Sequence, residues 1–185
     1  MLKDTTTLEL IPGALGWTNQ IPDAEASAKF SVVSSSTGRT KSLSFDKGSG
    51  WHDQTWSDRP WPALVKKWVS GRAIIGTGTL DSINWFQGED CTGKMHTSAY
   101  IARKGNVIRA ACETVDKRGQ ERLVKIQSGE RLTVADILLA DGKTYKLEMY
   151  KDLELEASDK GYGRWSGIAV GGQLRGSGLV EEGSF

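Results

Sequence analysis

Residues 48–56 concentrate the side chains of this chain that are best suited to chemistry. The stretch contains His52, one of only two histidines, followed by the carboxylate of Asp53 and the amide of Gln54. Successive side chains of a β-strand point to opposite faces, so an extended conformation sorts these residues into two sets. The sets are His52, Gln54 and Trp56 on one face, and Trp51, Asp53 and Thr55 on the other. We expect the first set to line a cavity, and Asp53 to lie in the wall, paired with a backbone group or with Arg72.

Patterns for metal or nucleotide chemistry are missing from the sequence. The two histidines, His52 and His96, lie far apart, and Cys91 and Cys112 are expected to be free thiols because they have no metal-ligand spacing. No Gly-x-Ser-x-Gly elbow, phosphate-binding loop or dinucleotide fingerprint occurs. We therefore expect neither a metal nor an organic cofactor.

The charge balance of the chain argues against a charged macromolecular partner. Its 185 residues include 24 Lys and Arg against 23 Asp and Glu, a formal net charge of +1. Such a chain has no field to attract nucleic acid or an anionic membrane, so a small hydrophobic molecule is the expected partner. Neither an apolar run long enough to span a membrane nor a signal core is present, and a cytoplasmic location is expected.

Short strand-like runs separated by turn signals cover most of the chain and predict an all-β fold. The 22 glycines fit the turns and bulges of such a fold. We predict a lipocalin-like antiparallel β-barrel of about eight or nine strands, a size that can hold one small ligand. Two short helical segments are also expected, at Trp61–Val69 and Val134–Leu139. Residues 1–27 lack sustained periodicity and are predicted to form a linker or lid, with the barrel domain at residues 28–185.

The stretch at residues 48–56 resembles the Gly-x-Gly-Tyr-His-Asp-His-Asn-Trp-Gly signature of the hydroxyneurosporene synthase (carotenoid hydratase) family. Other branches of that family include the fungal decalin-forming Diels-Alderases, which this chain resembles most in character. The resemblance extends to further segments: Trp68–Arg72, Ile83–Phe86, Arg164–Gly167 and Glu181–Phe185. It implies the lipocalin-like fold of the family's C-terminal domain. It also implies that full-length members carry another β domain, so this chain is a stand-alone variant, a split half or an excised domain.

The resemblance also indicates which chemistry to expect. The second histidine of the family signature acts as an acid or base in carotenoid hydratases, and here that position is Gln54. Glutamine cannot donate a proton, so hydration of an isolated double bond is disfavoured. Its amide can still donate a hydrogen bond to a dienophile's carbonyl. A pocket that folds a polyene into reactive geometry needs little more for a [4+2] cycloaddition.

We therefore predict a cofactor-independent cyclase, similar to a Diels-Alderase or other pericyclase, that acts on a hydrophobic polyene of polyketide or polyketide-peptide metabolism. The predicted catalytic groups are Gln54 and His52, and the predicted substrate-binding residues are Trp56, Asn84, Trp85 and Trp165. One alternative is a non-catalytic lipocalin-type binding protein with the same apolar pocket. Another is half of an assembly, with a homodimer mate or the missing β domain as partner, marked by an exposed apolar face along the lead-in and Trp17.

Overall fold

The computed structural model describes residues 7–76, 81–115, 123–158 and 161–185. The described residues form thirteen strands and one short 3-10 helix, Trp61–Ala63. The strands are β1 (Thr7–Ile11), β2 (Leu15–Val33), β3 (Thr40–Ser57), β4 (Val65–Ile75), β5 (Asp81–Asp90), β6 (Met95–Arg103), β7 (Asn106–Val115), β8 (Val124–Ser128), β9 (Leu132–Leu138), β10 (Thr144–Tyr150), β11 (Leu153–Ser158), β12 (Tyr162–Gly171) and β13 (Leu174–Ser184). Within these ranges no helix has the length and apolar character needed to cross a membrane.

The strands form two antiparallel sheets. A three-stranded sheet has the order β1-β2-β3, and β4 to β13 form a ten-stranded sheet in which β4 pairs with β13. The larger sheet curls so that its β8 end returns towards β7, where the Leu123 amide donates to the Glu113 carboxylate over 2.5 Å. The prediction of an all-β, lipocalin-like antiparallel fold is confirmed.

The space inside the curl is filled by an apolar core. Alternate residues of each strand point into it, among them Ile83 and Trp85 of β5 and Leu147 and Met149 of β10, all at most 1% exposed. Burying aliphatic and aromatic side chains of this size is the main favourable contribution to folding. We call this side of the larger sheet the inner face.

The opposite side of the larger sheet, which we call the outer face, is covered by the three-stranded sheet. Leu10, Leu15 and Trp17 of β1 and β2 pack there against Phe86 and Tyr100. The lead-in segment is therefore strand and core, and the predicted boundary between residues 27 and 28 falls inside β2. Leu10, Ile11, Leu15 and Trp17 of this segment are buried within the chain, whereas Ile21 is 46% exposed, so Trp17 does not contribute to an exposed apolar face.

Three tryptophans lie flat over glycines directly opposite them on the neighbouring strand. The pairs are Trp56 with Gly16, Trp85 with Gly71 and Trp68 with Gly183, and in each the indole occupies the place of a Cβ on the glycine. Cross-strand contacts of this kind stabilise sheets at positions where glycine alone would weaken them.

Several predictions about individual elements are corrected. Residues 134–138, predicted as a helical turn, belong to β9, in which Thr133, Ala135 and Ile137 are buried in alternation. The predicted helix at 61–69 is only the 3-10 turn before β4. The described residues form thirteen strands where about nine were expected. Short-range patterns in the sequence did not distinguish β1, β9 and all of the strands near the C-terminus as separate strands.

Candidate functional site

A cleft of about 520 Å³ lies between the three-stranded sheet and the outer face of the larger sheet. The predicted site was the inside of a barrel, but the inner face is packed with side chains, so the open space is on the other side. Five tryptophans line the cleft: Trp17, Trp51, Trp61, Trp68 and Trp85. A volume of this size suits a small organic molecule.

Strands β4 and β5 supply the floor of the cleft through simple alternation. Trp68, Ser70 and Arg72 are spaced two apart on β4 and all line the cleft. The register places Asn84 directly opposite Arg72, and Phe86 opposite Ser70. Alternation and pairing together therefore bring aromatic and polar side chains to one surface.

Strand β3 forms the roof, and its cleft-facing residues are Trp51, Asp53 and Thr55. Asp53 Oδ2 accepts a hydrogen bond of 2.9 Å from Trp17 Nε1, a partner that the sequence analysis did not anticipate. The predicted alternation is present, but the predicted face is reversed.

The other face of β3 carries His52, Gln54 and Trp56, which are all exposed and outside the cleft. Trp56 is 48% exposed and lies over Gly16 of β2. The error has a physical cause. Alternation along β3 defines two faces, but the position of the larger sheet determines which of the two borders the cleft. The placement of His52, Gln54 and Trp56 in the cavity wall is therefore corrected.

Of the other three predicted substrate-binding residues, two line the cleft and one does not. Asn84 and Trp85 both line the cleft, although Trp85 belongs chiefly to the inner core beneath Gly71. Trp165 is not among the cleft residues; the ammonium group of Lys151 lies 4.3 Å from the centre of its ring. Lys151 is held there by the carboxylate of Glu182 at 2.6 Å.

The cleft contains buried hydrogen-bond donors that have no acceptor among the residues the structure describes. Asn84 is 2% exposed and its Nδ2 has no partner, and Trp68 Nε1 is also buried without one. Leaving a buried donor unsatisfied costs about 1 to 3 kcal/mol. Unpartnered donors beside open space indicate a ligand that carries acceptor oxygens.

Charged groups lie at one end of the cleft. Arg164 Nη2 and Glu181 Oε1 of the adjacent strands β12 and β13 are 2.7 Å apart. Burial raises the pKa of Glu181, the guanidinium of Arg164 opposes that rise, and the charge of Asp53 adds to it. The contact with the guanidinium makes the carboxyl group of Glu181 a charge-assisted hydrogen-bond acceptor at this end of the cleft.

Glu181 and Arg164 were not predicted as site residues, although both lie in segments that carry the family resemblance. A signal was nevertheless present. The turn at Gly172 and Gln173 sets the register of the hairpin, and counting outward from it places Arg164 opposite Glu181.

Arg72 is the most deeply buried charge in the cleft, at 6% exposed, and its guanidinium carbon lies 4.3 Å from the ring centre of Trp51. Guanidinium groups stack on aromatic rings in this manner, and their N–H donors point outward in the plane of the guanidinium.

Among the described residues, no group of three or more His, Cys, Asp or Glu is placed to hold a metal ion. Cys91 and Cys112 are free thiols.

Comparison with known proteins gives one family match. A family model described as Diels-Alderase-like matches residues 3–150. The quinolone epoxide rearrangement protein asqO of Emericella nidulans is 33% identical over 105 residues, which cover 57% of this chain and 26% of that protein.

Two solved structures share the fold. The crystal structure of CghA superposes with a TM-score of 0.70 at 15% identity, covering 96% of this chain and 56% of that one. Kievitone hydratase from Nectria haematococca superposes with a TM-score of 0.54 at 18% identity, covering 97% of this chain and 56% of the hydratase. The chain thus spans little more than half the length of either structure.

Proposed function

Since this chain belongs to the Diels-Alderase-like family, we propose that it binds a hydrophobic, oxygen-bearing polyene intermediate of secondary metabolism and promotes its cyclisation or rearrangement without a cofactor. The observation that carries the proposal is the cleft itself, in which aromatic walls surround the unpartnered Nδ2 of Asn84. Apolar walls with a few convergent polar groups are typical of small-molecule sites.

In this proposal the aromatic walls hold the polyene in a folded conformation that brings its reacting carbons together. Orientation of this kind lowers the barrier of intramolecular reactions by up to about 7 to 11 kcal/mol in favourable cases. Trp61 and Trp68, whose ring centroids are 5.2 Å apart in an edge-to-face arrangement, form one rigid part of that surface.

Asn84 and Arg72 are proposed to act on the oxygen of the substrate. A carbonyl or epoxide oxygen that accepts a hydrogen bond from Asn84 Nδ2 becomes a better electron-withdrawing group, which favours cycloaddition and ring opening alike. The guanidinium of Arg72 lies opposite Asn84 across the β4–β5 pair and adds positive charge on the same side. The carboxylates of Asp53 and Glu181 are proposed to accept a proton from one atom of the rearranging substrate and to return it to another, so that the product remains an isomer.

The description of one relative supports a reaction without an added reactant. The asqO protein is described as acting on a quinolone epoxide by rearrangement. Rearrangement and intramolecular cycloaddition both convert a substrate into an isomer, so binding and polarisation are the whole requirement on the protein. We therefore favour an isomerising cyclase over the hydration performed by the kievitone enzyme.

A gene-deletion strain and the purified chain together test this function. The intermediate that accumulates when the gene is deleted is isolated and incubated with substoichiometric protein. The proposal expects an isomeric product of unchanged mass, formed over many turnovers. An intermediate that binds stoichiometrically and emerges unchanged would identify a carrier instead.

A second candidate function is that of one half of a larger enzyme, and an exposed apolar surface favours it. Beyond the cleft, β2 and β3 continue as a two-stranded ribbon whose Phe30, Val32, Leu43 and Phe45 share one face and are all exposed. The opposite face of the ribbon is polar, with Ser31 hydrogen-bonded to Ser42. Exposed apolar surfaces of this kind mark interaction sites.

We propose that the partner at this face is a second β domain, the counterpart of the part of its relatives that this chain does not match. A second copy of the chain is the competing occupant. The mass of the protein in solution decides between them: a monomer fits a missing domain, and a dimer that Phe30→Lys dissociates fits a second copy.

A further inference from the structure

A second cavity of about 240 Å³ lies beside the cleft, beneath the same strand β3. It shares three lining residues with the cleft: Trp51, Arg72 and Leu179. Its other walls come mainly from small or apolar residues, including Ile74 of β4 and Ser177 of β13.

The two cavities follow one another along the outer face. On β4, Ser70 and Arg72 border the cleft, and the next residue of that face, Ile74, borders the second cavity. On β13 the same sequence runs from Glu181 through Leu179 to Ser177. Because the stacked side chains of Trp51 and Arg72 line both spaces, this stack forms the wall between them.

Trp51 is weakly held in this position. The register between β2 and β3 shifts between Ile21, which pairs with His52, and Ala24, which pairs with Gly50, so no residue of β2 pairs with Trp51. Trp51 is 42% exposed, and its ring stacks against the guanidinium of Arg72. Stacking of a guanidinium on a partly exposed ring contributes little binding energy.

We propose that the second cavity is a subsite for the unbranched apolar tail of the ligand, and that Trp51 determines how long a tail the site accepts. The inference rests on the proposed function, since it assigns the head of the same ligand to the cleft. The side chains of Ile74 and Leu179 give the subsite the character expected for a hydrocarbon chain.

A series of straight-chain methyl ketones of increasing length provides the probes, with affinity measured by displacement of an anilinonaphthalene sulfonate dye. The carbonyl supplies an acceptor for Asn84 and the alkyl chain supplies the tail. In the unaltered protein, affinity should rise about fourfold with each added CH₂ until the cleft is full, and then level off.

In Trp51→Ala the rise should continue past that length, again by about fourfold per CH₂, because the tail can enter the second cavity. Trp51→Phe should give a smaller extension, and it decides the matter if the alanine variant does not fold. In the double variant Trp51→Ala/Ser177→Phe the second cavity is filled, so the levelling should return to the length seen in the unaltered protein.

Tyr150→Ala, which alters an exposed aromatic residue that lines neither cavity, is the matched control and should leave the series unchanged. If affinity stops rising at the same chain length in Trp51→Ala as in the unaltered protein, the proposed subsite is wrong and the proposed function is unaffected. An unaltered protein that binds no ketone of any length overturns the proposed function, and the subsite with it.

Discussion

The two faces of the larger sheet are equally buried around β4 and β5, yet they differ in what they bury. On the inner face, Ile75 and Ile83 are fully buried and pack among other apolar side chains. On the outer face, Arg72 and Asn84 are at most 6% exposed and border the cleft. Burial alone therefore does not distinguish core from site. The distinguishing features are the unpartnered Nδ2 of Asn84 and the adjoining empty volume, which cost stability and are expected where a ligand binds.

The inner face should carry most of the stability. Leu147→Ala removes a fully buried side chain at a distance from the cleft and should lower the free energy of unfolding by about 2 to 5 kcal/mol. Urea denaturation measures this change. Ketone affinity of the folded fraction should be unaltered, and a parallel loss of affinity would show that the two faces are not independent.

Gly71 tests the contact between the two faces, because it borders the cleft while the indole of Trp85 covers it from the inner side. A methyl group there has no room, so Gly71→Ala should destabilise the protein by about 1 to 3 kcal/mol. Trp85→Phe in the same chain should restore part of the loss. Thermal melting of the single and double variants checks both expectations, and additive losses would contradict the proposed clash.

Buried polar groups away from the cleft should behave as structural groups. His96 is 3% exposed, and its Nε2 lies 2.8 Å from Asp90 Oδ2. Burial alone would raise the pKa of Asp90, but hydrogen bonds from His96, Thr92 and Lys94 outweigh it and lower the pKa to about 2. Asp90→Asn should therefore cost about 1 to 2 kcal/mol at neutral pH.

The pH dependence follows from the direction of that shift. A carboxyl whose folded-state pKa is depressed contributes stability above its unfolded value, and this contribution is lost as pH falls through the folded value. Stability of the unaltered protein should thus decline from about pH 4 to about pH 2. This decline in stability should be shallower in Asp90→Asn. If the free energy of unfolding falls equally in the two proteins over this pH range, Asp90 is not the source of the decline.

Asn84 should show the opposite balance of stability and binding. Asn84→Leu removes an unpartnered buried donor while roughly conserving volume, so the protein should become about 1 kcal/mol more stable. Ketone affinity should fall by about tenfold because the donor to the carbonyl is lost. A variant that loses stability instead would show that Nδ2 has an acceptor in solution.

The smallest effects are expected on the outward side of β3. Gln54→Ala should change stability by no more than about 0.5 kcal/mol and leave ketone binding unchanged. Asp53→Ala removes the acceptor of the Trp17 indole and should cost about 1 kcal/mol, with weaker binding. Melting and dye displacement on this adjacent pair check the face assignment, and a larger effect from Gln54→Ala would restore the original assignment of the face.

Local pattern was sufficient for much of the fold. One of the strand-like runs in the sequence extends over Met95–Arg103 and coincides with β6, because its flanking turns are marked by Gly93 and Gly105, both at positive φ. β9 was not predicted, since Asp136 interrupts an apolar run whose alternation becomes evident only when its pairing with β8 and β10 is known. The ends of strands at residues 77–80 and 122 lie outside the described residues.

The site was harder to predict, because it is formed by two sheets that are distant in sequence. Asn84 and Trp85 were identified through family resemblance, and both border the cleft. Trp51 was placed on the wrong side, since no property of residues 48–56 says which face the larger sheet covers. Leu155 of β11 lines the cleft as well, and nothing near it in the sequence suggests a site.

The pairing of β4 with β13 has a consequence for how the molecule folds. Its partners, from Ile75 with Gly176 to Lys67 with Ser184, lie more than a hundred residues apart in the chain. The long hairpin of β2 and β3 and the meander from β4 to β7 close short loops and can form early, whereas this pairing must close a long one. The outer face acquires Leu179 and Glu181 only at that step, so the ligand site should be completed late, on the slowest phase of refolding.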